Sequence, residues 1–313
     1  MVPVGLIACY RRDMEPIGTK SARDRDAIRP HVLCDAPIAD DAVAHDPIAA
    51  DPARGGPPPT TEQLEITSAG LPLLNTAFLP GGPGPHPVVV LLHGFPGNDN
   101  QLDLAQALRR AGHACVVFHY RGSWGGPGAW SWSNGLDGAS AVVDALRRDA
   151  RFDPARIVLA GHSYGGFVAL QVAAADPRVQ AAVSVAGFDF GVARRESRID
   201  PAARLRYRDA WGAQLAALAG TSGVALVDEM LNAAESWSLP EIAPRLAGRP
   251  VLLIGTGDRD LVTAAVVHHG PVVAAFREHG VRVEDTLFDT DHALSDHRVR
   301  LARRILGFLD RLT

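Results

Sequence analysis

Gly161-His162-Ser163-Tyr164-Gly165 constrains this chain more than any other stretch. It fits G-x-S-x-G. The apolar run Ile157-Val158-Leu159-Ala160 precedes it and a helical pattern follows it. A buried strand that stops and reverses at once into a helix holds a serine on a tight, strained turn. The hydroxyl then projects from the sheet edge, and the flanking glycines leave room where side chains would clash. Taken alone, the motif also fits a Gly-rich turn with a solvated serine, so its context has to decide.

A serine hydroxyl is a weak nucleophile at neutral pH. It needs a base, and the base needs a carboxylate to orient it. Downstream, Val251-Leu252-Leu253-Ile254 reads as a buried strand and runs into Gly255-Thr256-Gly257-Asp258-Arg259-Asp260. Later, Val283 to Phe288 reads as a strand and runs into Asp289-Thr290-Asp291-His292. Each candidate partner therefore follows a predicted strand, where open α/β sheets place their chemistry. Upstream, Pro87 to Leu92 reads as a strand followed by His93-Gly94-Phe95-Pro96-Gly97. Such a loop offers one backbone N–H to an oxyanion, and the residue after the nucleophile offers another. Here those are the amides of Phe95 and Tyr164. His93 reads as a hydrogen-bonding residue that shapes the loop.

Taken in this order, these motifs resemble the α/β-hydrolases, from about residue 64 to the C-terminus. Tyr120-Arg121-Gly122-Ser123-Trp124-Gly125 and Gly161-His162-Ser163-Tyr164-Gly165-Gly166 are similar to segments of bacterial hydrolases related to the prolyl oligopeptidase group. The resemblance implies a mostly parallel central sheet with helices on both faces and a small helical lid. It also implies the chain order nucleophile, acid, histidine. These 313 residues are expected to carry no β-propeller, so the resemblance is to the catalytic domain of that group.

Ser163 and His292 are the candidate nucleophile and base. His292 stands out among 12 histidines because it alone follows the last strand and precedes the closing helix. Asp258 and Asp260 both remain open as the acid. Asp260-Leu261-Val262-Thr263 resembles the Asp-x-Val-Thr run of the relatives more closely, which favours Asp260. His268-His269 reads as a poor metal site, since adjacent helical side chains diverge. No H-x-x-x-H helix or cysteine cluster suggests a metal or cofactor.

The expected activity is hydrolysis of carboxylic esters or amides through an acyl-enzyme, on a small ester or short peptide. A serine peptidase of the prolyl oligopeptidase type and an acyltransferase are the alternatives. A hydrolase-fold protein that binds ligands without turnover is the remote one. A formal charge of −4 gives no basic footprint for nucleic acid. No apolar run has the length of a membrane span. Three cysteines, Cys9, Cys34 and Cys115, are too scattered for a disulfide framework. The chain has 47% hydrophobic residues, ample for a sizeable core.

Residues 1–63 read as an N-terminal arm, disordered or draped on the surface, rich in Asp, Ala, Pro and Arg and ending near Gly55-Gly56-Pro57-Pro58-Pro59. Leu6-Ile7-Ala8-Cys9 resembles a lipoprotein cleavage site but lacks a charged leader. A cytoplasmic location is expected, with export as the alternative.

Residues 64–313 read as the hydrolase domain. Leu64–Thr67 and Leu71–Leu79 are expected to form an edge hairpin, followed by alternating strands and helices that close on a helix over Ser295–Leu312. That last helix is expected to bury Val299, Ala302, Ile305, Leu306 and Leu309. Residues 188–248 break the rhythm and read as a lid of two or three helices. Its first part carries Arg194, Arg195, Arg198, Arg204, Arg206 and Arg208. This reads either as a solvated charged face or as an anion-binding lid, with Arg194 and Arg195 as candidate contacts. Trp124, Trp130 and Trp132, in the loop after Tyr120, either line a substrate pocket or pack that loop.

Overall fold

Strand β5 (His86–Leu92) shows how the sheet sorts its side chains. Val88, Val90 and Leu92 enter one core, while Val89 and Leu91 enter the other. Side chains alternate across a strand, so a continuous apolar run buries both faces at once. Strands β6 (Ala114–Phe118), β7 (Phe152–His162) and β9 (Pro250–Thr256) divide in the same way.

The computed structural model describes residue 48, residues 56–257 and residues 259–312, all within one compact unit, Val43–Thr313. Eight strands form the main sheet. Two further strands lie in sequence between β5 and its first edge strand, β1 (Thr60–Glu62), and a third, β4 (Asn75–Leu79), joins β1. With β8 (Ala181–Val185) and β10 (Arg282–Phe288), the order is β1-β4-β6-β5-β7-β8-β9-β10. The β1–β4 and β4–β6 pairs are antiparallel and the others are parallel.

The edge differs from the expected hairpin. Leu64 and the segment after it form only a two-stranded ribbon, β2 (Thr67–Ser68) with β3 (Leu71–Pro72), outside the main sheet. Asn75 terminates that excursion, because its amide side chain bonds to Leu64 and Leu73 carbonyls and accepts the Leu64 N–H. Strand β1 falls inside the segment read as an arm, and the rest of that segment lies outside the described residues apart from 48 and 56–63. Cys9, Cys34 and the Leu6–Cys9 motif also lie outside them.

Helices cover both faces. On one side lie α2 (Trp132–Arg148), α3 (Tyr164–Ala175) and α8 (Gly270–Glu278). On the other lie α1 (Leu102–Arg110) and α9 (Arg298–Asp310). Helix α9 begins three residues later than expected, and Val299 in its first turn is half exposed. Ala302, Ile305, Leu306 and Leu309 are buried as the pattern requires.

The segment read as a lid, 188–248, holds three α-helices. Asp189 caps the first, α4 (Phe190–Ile199), by accepting the Gly191 N–H. Asp200 then caps α5 (Pro201–Gly212), which has proline in its first turn. Ser222 caps α6 (Gly223–Asn232), and Leu239–Leu246 is a 3₁₀ segment. The turn after α5 is zipped to the tryptophan loop: Trp124 N–H donates to Ala217 and Trp130 N–H to Ala219.

Candidate active site

Ser163 stands between the end of β7 and the first residue of α3, at φ 55° and ψ −117°. A side-chain-bearing residue adopts such a backbone only when its surroundings enforce it. Here the Ser163 N–H donates to Val185, and its carbonyl accepts from Gly166, Phe167 and Phe188. The bend also needs its glycines. A Cβ on Gly161 would lie 2.0 Å from the Gly165 carbonyl oxygen, and one on Gly165 would lie 1.9 Å from that of Leu92.

Asp260 follows β9 and is 1% exposed. Its Oδ1 accepts the Val262 and Thr263 N–H groups at 2.7 and 3.1 Å. Its Oδ2 accepts the Thr256 and Thr263 hydroxyls and lies 2.9 Å from His292 Nδ1. Burial pushes this carboxyl up. The His292 bond and charge, with the two threonine hydroxyls, outweigh burial and hold it well below the usual range. The structure thus brings Asp260 and His292 together. Asp258, the other candidate, lies outside the described residues.

His292 sits in the loop between β10 and α9. Its backbone carbonyl accepts from His162 Nε2 at 2.7 Å, and the two rings lie 4.7 Å apart. His162 is the residue before Ser163, so this bond ties the bend to the histidine loop. Burial lowers His162 to about 3, which keeps it neutral with its proton on Nε2. Ser163 Oγ forms no hydrogen bond to His292 in this structure. Such contacts are commonly loose before substrate arrives.

The Phe95 and Tyr164 amides donate to no protein acceptor among the described residues. His93 shapes the Phe95 loop. Its Nδ1–H donates to the Gly94 carbonyl at 2.7 Å, and its own carbonyl accepts the Tyr120 hydroxyl. The Phe95 ring contacts Trp130 and Trp132, each at 5.2 Å between ring centres.

The three tryptophans separate. Trp130 and Trp132 are buried beneath the loop, and Trp132 Nε1–H donates to Leu226 in the lid. They are packing groups here, because a loop fixed between a sheet edge and a lid needs its own core. Trp124 is 42% exposed and stays available to a ligand. Arg194 is buried and consumed by the Ala233 and Ala234 carbonyls and by Glu235. In this structure it braces residues 233–235 against α4. Arg195 is exposed.

Sequence reading missed three groups at this site. Thr263 stood within the run that favoured Asp260, and its hydroxyl bond was legible only as a residue type. His162 and His268 carried no local signal among so many histidines. Their positions depend on which strands become neighbours.

His93 and His268 are buried, and burial lowers each from 6.5 to about 4. Between those values the unfolded chain binds more protons than the folded one. Stability is therefore complete above about pH 6.5 and is lost as pH falls toward 4, at up to about 1.4 kcal/mol per pH unit for each histidine. Thermal unfolding from pH 7.5 to 4.5 should show a falling midpoint. A flat profile contradicts the buried neutral pair.

A mostly parallel sheet, a strained serine between strand and helix, and an Asp–His pair at the neighbouring strand ends define the α/β-hydrolase arrangement. Residues 87–263, more than half of the chain, match the family described as alpha/beta hydrolase fold, and the chain belongs to that family. It is 31% identical over 138 residues to the 2,6-dihydropseudooxynicotine hydrolase of Paenarthrobacter nicotinovorans, a span of 42% of this chain and 36% of that protein. It is 34% identical over 111 residues to the quorum-quenching protein AidA of Acinetobacter baumannii, covering 34% of this chain and 36% of that one. The matched segments thus span well under half of these relatives.

Among solved structures, a puromycin hydrolase superposes with a TM-score of 0.64 at 20% identity, over 84% of this chain and 40% of that one. The α/β hydrolase GrgF from a Penicillium species superposes with 0.60 at 20% identity, over 80% and 98%. These likenesses concern the fold. No helix among the described residues is long and apolar enough to cross a membrane.

Proposed function

We propose that this chain is a serine hydrolase that cleaves carboxylic esters through an acyl-enzyme, with Ser163 as nucleophile, His292 as base and Asp260 as the orienting acid. The observation that carries this reading is the Asp260–His292 pair at 2.9 Å beside a serine on a strained bend. Asp260 receives the proton of Nδ1–H as a hydrogen bond. That leaves the Nε2 lone pair of His292 to take the proton of Ser163.

Ser163 Oγ attacks the carbonyl carbon as its proton passes to His292 Nε2. The carbonyl oxygen becomes an oxyanion, held by the Phe95 and Tyr164 amides. The bond to the leaving group breaks, and His292 returns the proton to the departing oxygen. Water then attacks the acyl-serine, gives its proton to His292, and releases the acid with Ser163 restored.

Esters are favoured over peptides because the lid offers no free carboxylate pair to clamp an amino terminus. Glu229 is engaged by the Trp132 and Ser133 amides, and Glu235 by Arg194. A panel of nitrophenyl esters and aminoacyl amides tests the preference. Faster turnover of the amides would replace the esterase reading with a peptidase one, and transfer to an added alcohol in place of water would indicate an acyltransferase.

His162 acts in this scheme as a positioning residue, through the carbonyl of His292. His162→Phe leaves that carbonyl without its donor, and kcat should fall roughly 10–100-fold with KM little changed. His162→Gln keeps an N–H donor of similar reach and should recover most of the loss. Equal activity of the Phe variant and the wild type removes this role.

A further inference from the structure

Six arginines crowd the first part of the lid, and five of them have partners. Arg194 braces Glu235, and Arg198 reaches the Leu231 carbonyl. Arg204, Arg206 and Arg208 pair with Asp228, Asp200 and Asp209. Arg195 is exposed and has no carboxylate or carbonyl partner among the described residues. Its charge nevertheless acts on buried Asp189 and His268.

His268, the last residue of α7 (Ala265–His268), has a similar unspent group. Its ring is stacked on Phe188 at 5.0 Å and is 6% exposed. Its Nδ1 accepts the Asp189 N–H at 3.1 Å. The ring is therefore the Nε2–H tautomer, and burial keeps it neutral. The Nε2–H donates to no protein acceptor among the described residues. Phe188 also anchors this group to the nucleophile, because its N–H donates to the Ser163 carbonyl at 3.1 Å. His268 further feels the charges of Asp260 and His292.

The acidic neighbours are already saturated. Asp260 takes five donors, and Asp189 takes the Gly191 and Leu239 amides. What remains around Asp189 and Phe188 is one N–H donor of fixed orientation on His268 and one unpaired guanidinium on Arg195, whose charge reaches both Asp189 and His268. Both suit an anion, and a guanidinium fork suits a carboxylate in particular.

We propose that His268 Nε2–H and the Arg195 guanidinium form a subsite for a substrate carboxylate, so that the preferred substrates are carboxylate-bearing esters such as half-esters of dicarboxylic acids. This inference rests on the hydrolase reading above and names the substrate class of the same site. The neutral histidine fixes direction without adding charge, and the arginine supplies the attraction.

The test compares nitrophenyl butyrate with the nitrophenyl half-esters of succinate and glutarate on the full chain. The wild type should favour a half-ester over butyrate in kcat/KM by about tenfold or more at low salt, and the ratio should shrink as salt screens the charge. Arg195→Glu should invert the ratio. His268→Phe keeps the stacking face and removes the donor, and it should lower the ratio several-fold. Circular dichroism and melting confirm that the variants are folded. A wild-type ratio near one, or one that Arg195→Glu leaves unchanged, overturns the subsite while leaving the hydrolase reading intact. Failure of every ester, together with an unreactive Ser163, overturns the hydrolase reading instead.

Discussion

Asp260→Asn should lower kcat by roughly 10⁴ while the protein stays folded. The carboxylate occupies a pocket in which every oxygen is used. Oδ1 holds the Val262 and Thr263 amides, and Oδ2 holds two hydroxyls and His292 Nδ1. An asparagine placed there keeps its carbonyl toward the two amides, which cannot reverse. Its NH₂ group then faces His292, where the carboxylate had accepted. The two threonine hydroxyls can rotate and accept from it. The imidazole can adapt only by placing its own proton on Nε2. In that tautomer it no longer accepts the serine proton. Steady-state kinetics with matched circular dichroism measure the effect. Wild-type turnover in the Asn variant would remove Asp260 from the mechanism.

Ser163→Ala should have a still larger effect, a loss of about 10⁶ in kcat, approaching the detection limit. No other described group on this bend offers an oxygen nucleophile to the carbonyl. The substitution is mild structurally, because alanine meets the same left-handed backbone as serine, and the bonds that hold the bend belong to the main chain. Binding of substrate should survive. A variant that keeps even one percent of wild-type turnover would show that another residue carries the chemistry.

Local pattern was enough for the parts of this fold that local physics determines. Strand β5 and the run before Ser163 are apolar on both faces, which only a covered inner strand tolerates. The helical pattern after the serine became α3, Tyr164–Ala175. The bend at Ser163 was visible because its glycines are the only residues that fit against Leu92 and Gly165.

What the sequence hid depends on contacts between distant segments. Trp130 and Trp132 looked equally suited to pocket and core, and the choice was made by the segment that bonds to them from Ala219 and Leu226. Arg194 and Arg195 are chain neighbours with opposite fates, because a helix turns one toward the Ala233–Glu235 segment and the other toward solvent. Asn75 redirected the edge of the sheet by satisfying backbone groups eleven residues away. His162 and His268 became meaningful only once β7, β8 and β9 lay side by side.

The most direct test is covalent trapping of the nucleophile with a fluorophosphonate, followed by mass spectrometry of the digested protein. One adduct is expected on Ser163, formed quickly in the wild type, slowly in Asp260→Asn and not at all in Ser163→Ala. No adduct on Ser163, or persistent ester hydrolysis with the adduct on another residue, would contradict the account and leave the chain a ligand-binding or differently catalytic member of its family.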